Sequence, residues 1–346
     1  MSKKIPLIHI TDLYHPPQDP DDHFDLATVY ALPEIDLKAV ILDATGKFLY
    51  PAPEGYDIAR DPGFLAVIQM NYITGRTIPV ASGPLDPLRD ETDTIEDRAV
   101  QEQTGVELLL DVLRKSDEKV VISVVGSTRI IAAAYNREPE LVLAKTGFVA
   151  LNAASTGTHM EWNVKLDPHA FRRLWRSGLP IHWYPCAAEN RGFDPDYRHA
   201  TYWYARHEEL MTEISPMLKA WFAHAYTGNI RGDILHILHD HKPSAVWEHV
   251  LSAKRNMWST ASLIMTAGRI VAKTEKGWRF IPRSENNNYD RLDLDLLPIR
   301  ADVSGEGHVL WHMTEQPEKH FIFSREGGRV YKEAMTQALS SLLSSL

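Results

Sequence analysis

Short apolar runs alternate with amphipathic stretches through the first half of the chain. Strand-like runs fall at Leu7–Thr11, Ala39–Leu42, Ile78–Ala81, Val120–Val125, Gly147–Leu151 and Ile181–Tyr184, most of them bounded by Gly, Pro or Asp. Between them, apolar residues recur at helical spacing in Asp22–Leu32, Pro62–Gly75, Val100–Lys115, Thr128–Asn136 and Asp167–Gly178. Strand–helix repetition with short joints predicts an α/β fold with a doubly wound, mostly parallel, Rossmann-like sheet. The second half is less regular. Its pattern predicts one long helix over Arg206–Asn229, a His-rich segment Arg231–Arg255 and a helix over Asn256–Arg269. Strand pieces near Trp278–Ile281 and His320–Phe323, a surface loop at Asn286–Asp290 and a last helix from about Val330 to Leu343 follow, a mainly helical C-terminal part.

This topology carries a functional expectation, because ligands of open α/β sheets bind outside the carboxyl ends of the strands. The residues leaving those ends are Asp12, Asp43, Ser82–Gly83, Val125–Gly126, Asn152 and Tyr184–Cys186. They would form a polar site, although any fold of this kind places polar residues there.

Composition narrows the options. The chain has 346 residues, 44% hydrophobic and 24% charged, enough for one large core or two joined ones. A net charge of −9 argues against a nucleic-acid partner, which would call for a basic stripe. Cys186 is the single cysteine, so no internal disulfide forms. No apolar run approaches the roughly 20 residues that span a bilayer, and a cytoplasmic protein without membrane contact is expected.

The stretch Ile8–Ala27 holds the densest chemistry. A strand ends in Thr11-Asp12, a Pro-rich loop follows, and Asp19-Pro20-Asp21-Asp22-His23-Phe24-Asp25 opens a helix. Five carboxylates within fourteen residues repel one another unless a positive charge sits among them. Hard oxygen donors of this kind suit Ca²⁺ or Mg²⁺. The competing explanation for Asp21 and Asp22 is stabilisation at a helix N-terminus.

This block resembles the signature of the nucleoside hydrolases, in which a strand ends in Asp and an Asp-Asp pair opens the next helix. Further blocks agree in order: Pro79-Val80-Ala81-Ser82-Gly83 with Pro87-Leu88, Val124-Val125-Gly126-Ser127-Thr128 with Arg137-Glu138-Pro139-Glu140, and Glu161-Trp162-Asn163-Val164 with Asp167-Pro168 and Ser177-Gly178-Leu179-Pro180. Together they cover about the first 185 residues. The resemblance implies one nucleoside hydrolase-like domain over 1–346, with an α/β core over 1–200 and 201–346 completing the site. It implies hydrolysis of the N-glycosidic bond of a nucleoside or riboside, a bound Ca²⁺ (with Mg²⁺ as the alternative), and a homo-oligomer. It assigns Asp12 to the metal and to general-base work, Asp21 to catalysis and ribose, Asp22 and the Val125 carbonyl to the metal, and Glu161 and Asn163 to the sugar. A helix cap ahead of Asp167-Pro168 is the plainer role for Glu161 and Asn163.

Several positions depart from the family pattern. The loop before Asp21 is long, so Asp19 competes with Asp12. Where the family has an Asn after the second strand, Asp43-Ala44-Thr45-Gly46-Lys47 offers Asp43 or Lys47. An upstream sugar-side Asn is replaced by Asn152 or Ser155. The His-Asp expected in the C-terminal half, with Asp240 as a metal ligand, matches His239-Asp240 by letters, whereas element order puts Met257-Trp258-Ser259-Thr260 there. A rival reading takes His236-x-x-His239-Asp240-His241 as the metal site of an HD-type phosphohydrolase, and a protein that kept the fold for binding alone is the other. Aromatics in Tyr197–Tyr204 and Trp221–Tyr226 are expected to be core rather than a stacking platform.

Overall fold

The apolar runs and amphipathic stretches of the first half fold as strands and helices close to where the pattern puts them. The computed structural model describes residues 3–17, 20–48, 61–153, 155–156, 159–186, 197–227, 233–239, 244–285, 289–316 and 319–346. Its first elements are β1 (Ile5–Thr11), α1 (Asp21–Ala31), β2 (Ile35–Leu42), α2 (Gly63–Thr74), β3 (Val80–Ser82), α3 (Val100–Lys115), β4 (Val120–Val124) and α4 (Arg129–Arg137). Then come α5 (Pro139–Lys145), β5 (Thr146–Leu151), β6 (Ser155–Thr156), β7 (His159–Met160), α6 (Trp162–Leu166), α7 (Pro168–Arg176) and β8 (Ile181–Trp183). The second half contributes β9 (Trp203–Arg206), α8 (His207–Met211), α9 (Pro216–Thr227), α10 (Ser244–Ser252), β10 (Lys254–Met257) and α11 (Thr260–Thr266). It ends with β11 (Arg269–Thr274), β12 (Gly277–Pro282), β13 (Asp290–Arg291), β14 (Leu294–Val303), β15 (Val309–Met313), β16 (His320–Arg325) and α12 (Gly328–Leu343).

Nine strands form one sheet in the order β15-β14-β16-β8-β5-β4-β1-β2-β3. From β3 to β16 the pairs are parallel, and β14 and β15 add an antiparallel edge. Strands covered on both faces carry apolar residues almost throughout, as in Val120–Val124, where every residue is buried. Leu7 faces one core with Phe24, Trp221 and Phe222, while Ile8 and Ile10 face the other with Ile122, Leu109 and Trp183. Each such side chain contributes about 1.5–3 kcal/mol by leaving water. Helices α1 and α2 lie on the first face and α3, α4 and α7 on the second, so the winding reverses between β1 and β4.

The second half departs from its pattern in three places. Arg206–Asn229 is not one helix. Arg206 belongs to β9, and the helical stretch breaks into α8 and α9 at Ser215-Pro216, where proline lacks an N–H and the Ser215 hydroxyl accepts from Leu218 N–H at 3.3 Å. The helix expected from Asn256 begins only at Thr260, because Lys254–Met257 pairs antiparallel with Trp203–Arg206. Strands β14 and β15, which no periodicity announced, extend the main sheet. Of the Asn286–Asp290 loop, residues 286–288 lie outside the described residues, and Tyr289 and Asp290 are exposed. Trp203, Trp221 and Phe222 are core residues. Among the described residues no helix is long and apolar enough to cross a membrane.

Candidate functional site

Hydrogen bonds past the strand ends set the exit residues side by side. Thr11 C=O accepts from Asp43 N–H at 2.8 Å, Ile10 C=O from Val125 N–H at 3.0 Å and Val124 C=O from Asn152 N–H at 3.0 Å. Asp12, Asp43, Val125 and Asn152 therefore share one rim, at the β1/β4 reversal where a crevice opens in doubly wound sheets.

The acids converge there. Asp12 is buried, and its carboxyl is hydrogen-bonded to that of Asp22 from the first turn of α1. Burial pushes Asp12 well above the usual carboxylate range, and the charges of Asp43, Asp21 and Glu161 add to the shift. Burial also raises Asp22, followed by the charges of Asp12, Asp25 and Asp43, and raises Asp21, followed by Asp22 and Asp25. Two carboxyls share a hydrogen bond only when one keeps a proton, and a divalent cation answers the same need. Asp21 and Asp22 do sit at a helix start, but the N-cap is Pro20, which offers no side-chain bond. Asp19 lies outside the described residues.

Between Asp43 and Lys47 the structure separates two roles. Asp43 is fully buried and accepts from Ser127 N–H at 2.5 Å and Ser127 Oγ–H at 2.9 Å. Arg129, also buried, donates to Ser127 Oγ at 2.9 Å with Nε 3.5 Å from Asp43. A Cβ on Gly126 would lie 2.8 Å from the Asp43 carboxyl, so only glycine lets this turn come so close. Asp43 thus holds the Val125–Ser127 turn. Lys47 is exposed, with Nζ 4.9 Å from the Trp162 ring centroid.

The Glu161 block reaches the same place from far along the chain. Asn163 Nδ2 donates to the Val125 carbonyl at 3.1 Å, and Glu161 accepts from Asn163 N–H at 2.9 Å, capping α6, while its charge bears on Asp12. The cap and the proximity to the acids coexist. Asn152 Nδ2 donates back to Val124 C=O at 3.0 Å. The side-chain oxygens of Asn152 and Asn163 are buried without a hydrogen-bond partner among the described residues, a state buried amides seldom keep unless a ligand or water completes them.

The expected fourth ligand, Asp240, lies outside the described residues, as does His241, while His236 and His239 are exposed and His239 Nε2 lies 3.1 Å from the Tyr72 hydroxyl. At the N-terminus of α11, Thr260 Oγ1 donates to Asp25 at 3.3 Å, and Ser259 bonds Asp25 as well. Burial pushes Asp25 up to about 7. Neither this clamp nor His15, with Nε2 2.5 Å from Asp61 and Nδ1 accepting from Thr45 N–H, was anticipated from sequence. Among the described residues, no group of three or more His, Cys, Asp or Glu side chains is closed up enough to hold a metal ion. The donors do fit a hard cation in kind: the paired carboxyls of Asp12 and Asp22, and a main-chain carbonyl at the neighbouring strand exit.

Comparison with known proteins bears on the family and the fold. The sequence profile of the family described as inosine-uridine preferring nucleoside hydrolase matches residues 19–291. The pyrimidine-specific ribonucleoside hydrolase RihA of Enterobacter sp. (strain 638) is 30% identical over 183 residues, covering 46% of this chain and 55% of that one. RihA of Escherichia coli O1:K1 / APEC is 29% identical over 183 residues, with 46% and 55% covered. The chain spans about half the length of these curated relatives. The solved plant nucleoside hydrolase PpNRh1 superposes with a TM-score of 0.55 at 14% identity over 99% of both chains. The purine-preferring ribonucleoside hydrolase from Gardnerella vaginalis gives 0.55 at 14% identity over 98% of this chain and 99% of that one. At such identities the likeness to solved structures is one of fold.

Proposed function

This chain belongs to the inosine-uridine preferring nucleoside hydrolase family, and on that premise we propose that it hydrolyses the N-glycosidic bond of a ribonucleoside or related riboside with a divalent cation's help. The observation that carries the reading is the Asp12–Asp22 carboxyl pair at the β1/β4 crevice, one strand exit from the Val125 carbonyl that Asn163 contacts. In this reading Asp12, Asp22 and the Val125 oxygen hold Ca²⁺, or Mg²⁺. When bound, the cation supplies the positive charge that these acids lack and lowers the pKa of a coordinated water.

The chain's own groups do the rest. Asp12 accepts a proton from the attacking water. The water oxygen bonds to the anomeric carbon, the bond from that carbon to the base nitrogen breaks, and the departing base takes a proton from solvent at the mouth. Asp21, Asn152, Glu161 and Asn163 orient the ribose through its hydroxyls. The surrounding carboxylates favour the oxocarbenium-like charge of the transition state. The same reading takes 1–346 as one domain that acts as a cytoplasmic homo-oligomer.

Calorimetric titration of Ca²⁺ into the metal-stripped protein, paired with assays on inosine, uridine and p-nitrophenyl riboside, tests the proposal. Saturable binding and metal-dependent turnover are expected. Folded protein that turns over no riboside overturns the hydrolytic reading, and turnover without Ca²⁺ or Mg²⁺ binding removes the cation from it.

A further inference from the structure

The loop after β2 climbs from the floor of the site to its rim. Asp43 at its foot is buried and bonded to Ser127. Thr45 N–H donates to His15 Nδ1 at 3.3 Å, which fixes the loop against the segment that follows Asp12. A 3-10 turn over Gly46–Phe48 then brings Lys47 out into solvent. Its Nζ lies 4.9 Å from the Trp162 ring centroid, and the Phe48 ring is 5.6 Å from the same indole. Trp162 separates Glu161 from Asn163 and is 36% exposed. An ammonium and an open indole therefore border the rim next to the two side chains assigned to ribose.

Besides burial, the groups that bear most on Asp12 are carboxyls: Asp22, Asp43, Asp21 and Glu161. The Lys47 ammonium lies over the Trp162 indole at the rim, 4.9 Å from the ring centroid. We propose that this rim takes an anionic substituent on the riboside, a phosphate on the ribose, with Lys47 Nζ as its counter-charge. The inference rests on the ribonucleoside reading and gives nucleoside monophosphates preference over nucleosides. A phosphate nearing a carboxylate-rich site is repelled unless a cation meets it, and N⁺–H···O⁻ bonds are about twice as strong as neutral ones. The indole holds the lysine stem in place without consuming its donors.

The test compares uridine with uridine 5′-monophosphate for the wild type, Lys47→Met and Lys47→Arg. The wild type should favour the monophosphate. Lys47→Met should lower kcat/KM for the monophosphate about tenfold or more relative to uridine, and Lys47→Arg should keep the preference. Thermal-shift titration with ribose 5-phosphate and with ribose gives a readout free of turnover. Stabilisation by the phosphate ester should exceed that by ribose, weaken with salt, and vanish in Lys47→Met. If uridine is hydrolysed and Lys47→Met affects both substrates equally, this inference fails alone. If neither substrate turns over while ribose 5-phosphate still binds through Lys47, the hydrolytic reading fails and the anion subsite stands. Absence of both turnover and phosphate-dependent stabilisation overturns the two together.

Discussion

Asn163 donates its side-chain amide to the main-chain oxygen of Val125 across 3.1 Å, joining the start of α6 to the turn after β4. Asn163→Ala removes that bond and the sugar contact assigned to the same residue. A single hydrogen bond contributes about 0.5–1.5 kcal/mol, so the melting temperature should fall only slightly. Steady-state kinetics should show kcat/KM lowered about tenfold or more. A ribocation-mimicking inhibitor should lose more affinity than ribose, because catalytic contacts strengthen in the transition state. Equal losses for both ligands would reduce Asn163 to ground-state binding.

Gly126 offers a sharper lever. Its added Cβ would sit 2.8 Å from the Asp43 carboxyl oxygen and 2.9 Å from the Asp43 Cβ, inside a fully buried contact. Gly126→Ala should cost about 1–3 kcal/mol in urea denaturation, the usual range for overpacking, and should displace the Val125 carbonyl. Ca²⁺ titration of the folded variant should then show weakened binding. An unchanged urea midpoint would mean that the turn yields without loss.

Asp22→Asn separates repulsion from function. Asp22 lies among like charges from Asp12, Asp25 and Asp43, and burial disfavours its ionised form. The metal-free variant should melt at or above the wild-type temperature, because a crowded carboxyl is gone. Riboside hydrolysis should disappear. Strong destabilisation would instead show that the first turn of α1 needs Asp22 for helix initiation.

Two sets of buried groups pull the acid response in opposite directions. Burial lowers His9 and His23 to about 3 and His207 to about 4. A lowered histidine contributes stability that is present above its unfolded value near 6.5 and is lost as pH falls toward the folded value. Asp25 is raised to about 7, so its contribution is present below the unfolded value near 3.8 and is lost as pH rises through 7. The three histidines outweigh the one aspartate as pH falls from 6.5 toward 4, and a single substitution isolates one contribution. His9→Gln, whatever its fixed cost at pH 8, should gain on the wild type by about 1.4 kcal/mol per pH unit between pH 6 and 4 in urea titrations. A pH-independent difference would show that His9 titrates alike in folded and unfolded chains.

The parallel core was legible because buried strands such as Val120–Val124 are apolar throughout and their exits are polar. Asp12, Asp22, Val125 and Asn163 could be singled out because each stands at a strand exit or a helix start. Asp43's role could not, since it depends on Gly126 and Ser127, some 80 residues away. β14 went unseen because Asp295, Arg300 and Asp302 interrupt its apolar residues, on a strand that is paired on both sides but only partly buried. β9 and β10 are short, and only their pairing about 50 residues apart makes them strands.

β16 lies between β8 and β14, with His320 opposite Ile181 about 140 residues earlier. During synthesis β8 therefore emerges with one flank bare, and its partner follows about 140 residues later. Bare strand edges template pairing with other chains. Nascent chains stalled before residue 320 should consequently be poorly soluble and lean on chaperones that shield strand edges. Truncations that remove β16 then bear on yield, because that strand closes a gap inside the sheet.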